Sequence, residues 1–310
     1  MRSPVAPAAL LLAVLTASAF SQPAAPPAES RQPAPETIPQ LIERMARDDF
    51  NGQDTSRRLA EMGPAAVPAL IQATSHQAPR VRYWSIAALS AIGDERAVPA
   101  ITRLLDDPDS LVRAVAVWHL GRWFDRPEVR EKVLAKLRDE DAFVRGWALR
   151  LVQARNCREA VPSVRSLLRD KEPSVRYDAL HTLAVMEGAD ALETLKKALQ
   201  EDESPLVREC AVRCCTVLEP PTHRTAEVLI SALRDKDESV RAVAAQLLRK
   251  GLGQDIAFDA RADGAEREKA VRQWEAWYEA HKGELVWNED KRRFEVSQPP
   301  RAGSPPGPPL

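Results

Sequence analysis

A Val-Arg pair recurs along the chain at a nearly constant spacing. Successive valines lie 31 to 33 residues apart, in the pairs Val81-Arg82, Val112-Arg113, Val144-Arg145, Val175-Arg176, Val207-Arg208 and Val240-Arg241. From Val112 onward, an aspartate stands five residues before each valine and an alanine stands four residues after it. In the first copy Ser85 replaces the alanine. A period in the thirties indicates a solenoid of stacked supersecondary units.

Each repeat unit contains two predicted helices. After Val112 the apolar residues Ala116, Val117 and Leu120 follow at helical spacing. A break such as Gly93-Asp94 ends the first helix, and a second amphipathic run such as Val98–Leu105 follows it. The sequence therefore predicts an all-α fold: a right-handed α-solenoid, or superhelix, of about seven helical hairpins. We place this solenoid at residues 37–250.

The repeated pattern resembles a known family. The unit D-x-x-x-x-V-R-x-x-A-x-x-x-L is followed by A-V-P-x-[IV] at Ala97–Ile101 and again at Ala160–Val164. This combination is similar to HEAT repeats of the short bacterial type, first noted in phycobilisome lyases, and it covers roughly residues 55–250. The resemblance implies the fold. It says little about function, because that family contains lyases, scaffolds and binding platforms.

The N-terminal region predicts export. Arg2 precedes an apolar run, and Ala17-Ser18-Ala19 supplies the small residues that a signal peptidase needs, so residues 1–19 are predicted to be a signal peptide. The apolar run is shorter than the roughly 20 residues that span a bilayer, which disfavours the alternative of an uncleaved anchor. Residues 20–36 are rich in proline and alanine and are predicted to be a disordered linker.

The repeat period ends near Gly251, and residues 251–297 are predicted to be a capping segment. Asp263–Glu266 is typical of a capping box that opens a helix running to about Lys282. Two short apolar runs, Leu285–Trp287 and Arg293–Val296, favour a small hairpin. The W-x-x-W-Y-x-x-x-K-G-x-L-x-W run that starts at Trp274 is similar to a segment that closes many exported bacterial HEAT-repeat proteins. Residues 298–310 are predicted to be a disordered tail.

The charges of the chain are balanced. Lysine and arginine number 44 and aspartate and glutamate 45, so nothing draws the whole molecule to nucleic acid or to an anionic membrane. The column of repeated arginines could be an anion site or a structural ladder. The matched aspartate in almost every copy favours the ladder, in which each arginine meets an aspartate of its own or of the adjacent unit.

Residues that carry catalysis or bind metals are sparse. The five histidines are scattered, and none is followed by glutamate, so the His-Glu iron ligands of the deoxyhypusine hydroxylase branch of this fold are absent. Cys210 and Cys214 share a helix face, where they could hold a soft metal or be oxidised, and Cys157 could form a disulfide with one of the other cysteines. Buried free thiols are the alternative that the spacing favours. We therefore expect no catalytic residues, no metal site and no cofactor.

Exposed aromatic residues mark the candidate partner-binding surface. Trp118 interrupts a mostly polar position of the leading helix, six residues after the marker valine, where Arg150 stands in the next copy. Tyr83 and Tyr177 occupy an outward position two residues after the valine. Together, Trp118, Tyr83, Tyr177 and Arg150 form a plausible contact patch. The alternative is that Trp118 lies flat on the neighbouring unit, stacked on Arg150.

These observations favour a non-catalytic scaffold that is exported to the periplasm or beyond a bacterial cell and binds another protein. The sequence predicts a monomer that binds no nucleic acid and, after signal cleavage, does not insert into a membrane. The second helices should line a concave binding face. An acidic partner is a further hypothesis, based on six basic residues of this face: Arg103, Lys132, Lys136, Arg165, Lys196 and Lys197. The alternative function is a cofactor-handling protein that resembles the bilin lyases.

Overall fold

The computed structural model of this chain describes residues 36–47, 51–218 and 222–297. The predicted signal peptide, the predicted tail and all of the predicted linker except Glu36 lie outside the described residues. The described residues from Thr37 onward belong to one compact unit. Every element described below belongs to that unit.

The described residues fold as an all-α solenoid, which confirms the predicted fold class. A short helix α1 (Ile38–Arg44) comes first. Six helix pairs follow: α2 (Gly52–Glu61) with α3 (Val67–Ala73), α4 (Pro79–Ile92) with α5 (Val98–Arg103), α6 (Ser110–Leu120) with α7 (Pro127–Ala135), α8 (Ala142–Ala154) with α9 (Val161–Ser166), α10 (Pro173–Glu187) with α11 (Leu192–Glu201), and α12 (Pro205–Cys214) with α13 (Thr225–Ala232). The last leading helix, α14 (Glu238–Leu252), is followed by the capping helix α15 (Gly264–His281).

The leading helices of the six units that carry the Val-Arg pair begin in one of two ways. In α6, α8 and α14 an aspartate caps the helix, as when the side chain of Asp109 accepts hydrogen bonds from the N–H groups of Leu111 and Val112. In α4, α10 and α12 a proline occupies the first helical position, and no side chain caps the helix. A proline fits there because the N–H it lacks would have no partner within the helix. Both arrangements start the helix at the same point of the repeat.

The core is a strip between neighbouring units rather than one central mass. All six marker valines are at most 1% exposed. Two clusters of buried apolar residues meet at α10, where Ala179 and Leu183 belong to one and Leu180 and Ala184 to the other. Each unit therefore buries its apolar faces on its neighbours, as expected for a solenoid.

The C-terminal segment closes the last units as the sequence predicted. Asp263 caps α15 by accepting hydrogen bonds from the N–H groups of Ala265 and Glu266. The hairpin is formed by β1 (Leu285–Asn288) and β2 (Arg293–Val296), which pair antiparallel. Helix α15 packs on α13 and strand β2 packs on α14. No helix among the described residues is both long and apolar enough to cross a membrane.

We expect the substitution Trp274→Ala to destabilise the solenoid. The Trp274 side chain is fully buried in the apolar cluster of the last units, and truncating such a residue typically lowers the free energy of unfolding by about 3–5 kcal/mol. Urea denaturation measures this change. Val286→Ser, at an exposed apolar residue of β1, is the control and should leave the midpoint unchanged. Equal midpoints for the Trp274 variant and the unsubstituted protein would show that the cap does not hold the last units together.

Candidate functional site

A buried arginine joins each repeat unit to the next. The arginine of one unit binds the aspartate of the following unit, at N–O distances between 2.6 and 2.9 Å. These side chains are at most 10% exposed. The five pairs are Arg82–Asp107, Arg113–Asp139, Arg145–Asp170, Arg176–Asp202 and Arg208–Asp235. The predicted ladder is confirmed, and its bonds run between adjacent units.

The same groups also hold the loop inside each unit. Nη1 of Arg176 donates to the backbone carbonyls of Asp170 and Lys171, the loop that precedes its own helix. The carboxylate of Asp202 accepts a hydrogen bond from the N–H of Ser204, two residues further on. Such local bonds fold the loop as an Asx turn. One arginine thus fixes its own loop and the loop of the next unit at once.

The ladder ends differently at its two termini. Arg82, in the first marked unit, has no repeat aspartate in the loop before it and donates there to the carbonyls of His76 and Gln77. Arg241, in the last unit, donates to the backbone carbonyl of Ala260, which lies just before the capping helix. The carbonyl of Ala260 therefore takes the place of the missing next aspartate.

The pKa of Asp139 shows how a ladder carboxylate is held. Burial is the largest single effect and would raise the pKa of this carboxyl group. Hydrogen bonds from Arg113 and from the Asp141 N–H, together with the charges of Arg113 and Lys136, outweigh burial and lower the pKa below its ordinary value. The carboxylate is thus stabilised in its charged form, and its arginine partner has no free face with which to bind an external anion.

Most basic residues of the second helices are also paired within the chain. Four of the six that the sequence suggested for an acidic partner form ion pairs with acidic residues: Lys136 with Asp106, Arg165 with Glu187, Lys196 with Glu227, and Lys197 with Glu201. The other two, Arg103 and Lys132, have no ion pair with a described residue. This face therefore presents both signs of charge, which does not favour an acidic partner.

The cysteines and histidines do not converge on a site in the described part of the chain. All four cysteines are free, and the Sγ atoms of Cys210 and Cys214 lie 3.7 Å apart. The hydrogen bond to Cys214 and burial both raise the pKa of Cys210, which disfavours the thiolate that a metal needs. Burial lowers the pKa of His119 to about 4, so its ring is neutral. The described residues contain no group of three potential ligands placed to hold a metal ion.

The exposed aromatic residues gather on two neighbouring leading helices. Trp118 on α6 is 44% exposed, and its ring contacts that of Trp147 on α8, with the centroids 5.3 Å apart. Phe143, 45% exposed, contacts the same indole at 6.0 Å. The guanidinium of Arg150 lies over Trp147, 5.3 Å from the ring centroid. Trp118, Phe143, Trp147 and Arg150 are called the aromatic patch below.

Two details differ from the sequence-based interpretation of this surface. The cation–π partner of Arg150 is Trp147, whereas the sequence suggested Trp118. Tyr83 is half-buried, and the aromatic contact of its ring is with Trp84 of its own helix. Its ring has no aromatic contact with the patch among the described residues. Tyr177 and Arg150, by contrast, come together in one recess.

That recess lies between α8 and α10, beside the aromatic patch. Its volume is about 250 Å³, and it is lined by Arg150, Gln153, Tyr177, Asp178, His181 and Thr182. The Asp178 carboxylate lies 3.7 Å from the Arg150 guanidinium, and the His181 ring lies 3.2 Å from the side-chain oxygen of Gln153. This group of residues is called the polar recess below. It joins the patch through Arg150, which belongs to both.

Trp147, Phe143 and Asp178 were absent from the sequence-based prediction. Trp147 and Asp178 stand three residues after their marker valines, where other copies have Val115 and Cys210, so this position resembles core. The spacing of these residues does indicate a shared surface. Phe143 and Trp147 are four residues apart, and Trp147 and Arg150 are three residues apart, so all three lie on one face of the helix. Phe143 directly precedes its marker valine and so lies outside the two outward positions, two and six residues after the valine, on which the predicted patch was based.

Comparison with known proteins identifies the family. The profile of HEAT repeats matches residues 38–121 and 130–216, just over half of the chain. The chain therefore belongs to the HEAT-repeat family. No curated protein matches its sequence.

Solved structures with a similar fold share little sequence with this chain. The complex of CpcE and CpcF of phycocyanin lyase from Nostoc sp. PCC7120 is 18% identical, covering 80% of this chain and 100% of that one with a TM-score of 0.40. The YibA protein of Escherichia coli is 18% identical over 66% and 76%, with a TM-score of 0.49. Human deoxyhypusine hydroxylase is 21% identical over 68% and 83%, with a TM-score of 0.33. Likenesses this distant carry no argument about function.

Breaking one ladder pair should cost far more stability than breaking a surface pair. Arg208→Met leaves Asp235 buried without its cation, and we expect the free energy of unfolding to fall by about 3–5 kcal/mol. Arg261→Met removes an ion pair with Glu238 in which the arginine side chain is 80% exposed, and should change little. Urea denaturation of both variants compares the two costs. Similar losses in the two variants would contradict a special role for the ladder.

The ladder should also make stability depend on acid pH. The pKa of Asp139 is depressed in the folded protein, so its stabilisation is present above the unfolded value of about 3.9 and is lost as the pH falls through the lower folded value. In Asp139→Asn, the free energy of unfolding should therefore fall less between pH 5 and pH 2 than in the unsubstituted protein. Glu140→Gln, at the exposed neighbouring carboxylate, is the matched control. An unchanged pH dependence in the Asp139 variant would refute this assignment.

Proposed function

We propose that this HEAT-repeat protein is an exported, non-catalytic scaffold that binds another protein through the aromatic patch. The observation that carries the proposal is the contact between Trp118 and Trp147, which joins an exposed ring of one unit to a half-buried ring of the next. Clustered tryptophan beside arginine is the composition that dominates binding energy at protein interfaces. A rigid solenoid holds such a cluster in place at little entropic cost.

The internal pairing of charges supports this choice of surface. The repeated arginines are buried in the ladder, and most of the basic residues on the second helices are neutralised by neighbouring acids. The aromatic patch is different because Trp118 and Phe143 expose almost half of their surfaces to solvent. Covering them with a partner would remove large apolar areas from water, which is the main driving force of association.

The N-terminal sequence supports export. Its cationic Arg2, its apolar run and the small residues Ala17-Ser18-Ala19 are the three parts of a secretory signal peptide. We therefore propose that the partner is a protein of the periplasm or the cell exterior. A monomer that binds no nucleic acid and does not insert into a membrane after cleavage fits the balanced charge of the chain.

We expect Trp118→Ala to remove the partner while leaving the fold intact. The protein, attached to a support, should capture a protein from the exported fraction of its own cells, and the Trp118 variant should retain less than a tenth of it. Because the side chain is 44% exposed, the melting temperature should stay nearly constant. Val286→Ser, an exposed apolar residue of the cap, is the control and should capture the partner normally.

Two outcomes would count against the proposal. Equal capture by the Trp118 variant and the unsubstituted protein would show that the patch is not the binding surface. Stoichiometric pigment or metal in the purified exported protein would instead indicate a cofactor-handling protein.

A further inference from the structure

We propose that the aromatic patch and the polar recess together bind an extended segment of the partner protein, in which a lysine or arginine donates to Asp178 and apolar residues on one side of it cover Trp118. This inference rests on the proposed function and names the chemistry of the partner. The occupant is a basic, apolar segment of about six residues.

The first argument is the condition of the Asp178 carboxylate. Its side chain is only 22% exposed, and it accepts no hydrogen bond from any described residue. The nearest cation, Nη2 of Arg150, is 3.7 Å away, which is too far for a hydrogen bond. The ladder aspartates are comparably buried or more so, yet their oxygens accept bonds from both an arginine and a backbone N–H. Asp178 therefore lacks a hydrogen-bond donor among the described residues.

The pKa of Asp178 agrees with this geometry. Burial is the dominant cause, and it raises the pKa above its ordinary value although the charges of Arg150 and His181 act to lower it. A group whose pKa is raised on folding contributes stability below its unfolded pKa and loses it as the pH rises through the folded value. Burial therefore disfavours the charged form of Asp178 in the folded protein, and a partner donor would offset that effect.

The part of the chain that the structure describes does not supply this donor. Arg150 is 55% exposed and lies over the Trp147 ring. The backbone of α8 comes close to Asp178, because a Cβ atom at Gly146 would lie 3.0 Å from Oδ2. That side of the carboxylate is closed, so a new donor must enter from the solvent side, through the recess. Its volume of about 250 Å³ accommodates the end of a long basic side chain.

The second argument is the continuity of the surface. Trp118 contacts Trp147, Trp147 lies under Arg150, and Arg150 lies beside Asp178, so the contacts run across α6, α8 and α10. Packed helices lie about 8–10 Å apart, so three of them span about 20 Å, the length of about six residues in an extended chain. A small cation would fill the recess but would leave the tryptophan exposed. An acidic segment would bring a like charge to Asp178.

Peptide binding tests the charge preference. Three pools of fluorescein-labelled, amidated hexapeptides differ at one position. That position is lysine or arginine in the basic pool, alanine in the neutral pool and glutamate in the glutamate pool. The other five positions are leucine, phenylalanine, alanine or proline in all three pools. Fluorescence anisotropy with the purified protein should show that the basic pool binds at least tenfold more tightly than the glutamate pool. Asp178→Asn should reduce this preference to less than threefold. Asp190→Asn removes an exposed carboxylate just beyond the same helix and should keep the preference.

The stability of the same variants separates binding from folding. Because Asp178 accepts no hydrogen bond from the described residues and burial disfavours its charge, the melting temperature of Asp178→Asn should equal or exceed that of the unsubstituted protein. A lower melting temperature would show that the carboxylate is structural and would overturn the inference. So would equal binding of the basic and glutamate pools, or no binding of any pool.

The failure of this inference can be told from the failure of the proposed function. If the pools bind equally but Trp118→Ala weakens all of them, the patch binds apolar segments without regard to charge, and the proposed function stands while the inference is wrong. If the Trp118 variant binds every pool and captures the cellular partner like the unsubstituted protein, both are wrong.

Discussion

The buried bond between an arginine of one unit and an aspartate of the next determines how this solenoid is built. In a solenoid, a unit touches only its neighbours, so the stability of the whole is the sum of contacts at successive interfaces. Apolar surfaces alone tolerate small slips along such an interface. A bidentate ion pair does not, because both of its bonds require one relative position. In Arg208 and Asp235, whose side chains are 4% and 5% exposed, that position is fixed inside the structure.

A buried ion pair is not by itself a strong source of net stability, because burying two charges costs nearly as much as their attraction returns. Its contribution here is that one guanidinium donates hydrogen bonds to groups in several loops at once. Arg113 donates to the carbonyls of Asp107 and Pro108 in its own unit and to Asp139 in the next. Without the guanidinium, the buried carbonyl of Asp107 would lose this donor. Each unit thus fixes the loop conformation of the next unit as well as packing against it. This explains why aspartate and arginine recur together.

The sequence predicted most of the fold because periodic residues report on packing directly. Spacing identified the helix pairs, the buried valines and the pairing of arginine with aspartate. It did not decide whether Arg145 meets Asp139, six residues earlier, or Asp170, in the next unit, because both lie within reach of a stacked repeat; the structure shows Asp170. The cap was recognisable because Asp263 begins its helix by a purely local interaction.

The candidate site was less predictable because it consists of departures from the repeat. Trp147 and Asp178 occupy the same position in consecutive units, where a small apolar residue would continue the core. At that position Trp147 is half-buried against the edge of the core and the Asp178 side chain is 22% exposed, so the neighbouring residues decide what each one meets. Glycine at position 146 admits the Asp178 carboxylate, and Trp118 meets the ring of Trp147.

Two aspartates of one helical unit show the difference between a structural and a functional charge. Asp170 is held by Arg145 and by the N–H of Glu172. Asp178, eight residues further on, accepts no comparable bond from the described residues and has a pKa raised by burial. The repeat explains the first charge, because the same arginine–aspartate pair recurs between successive units. It does not explain the second, because burial disfavours the charged form and no repeated partner offsets that effect. This difference between the two carboxylates is the reason why the proposed partner of Asp178 lies outside the chain.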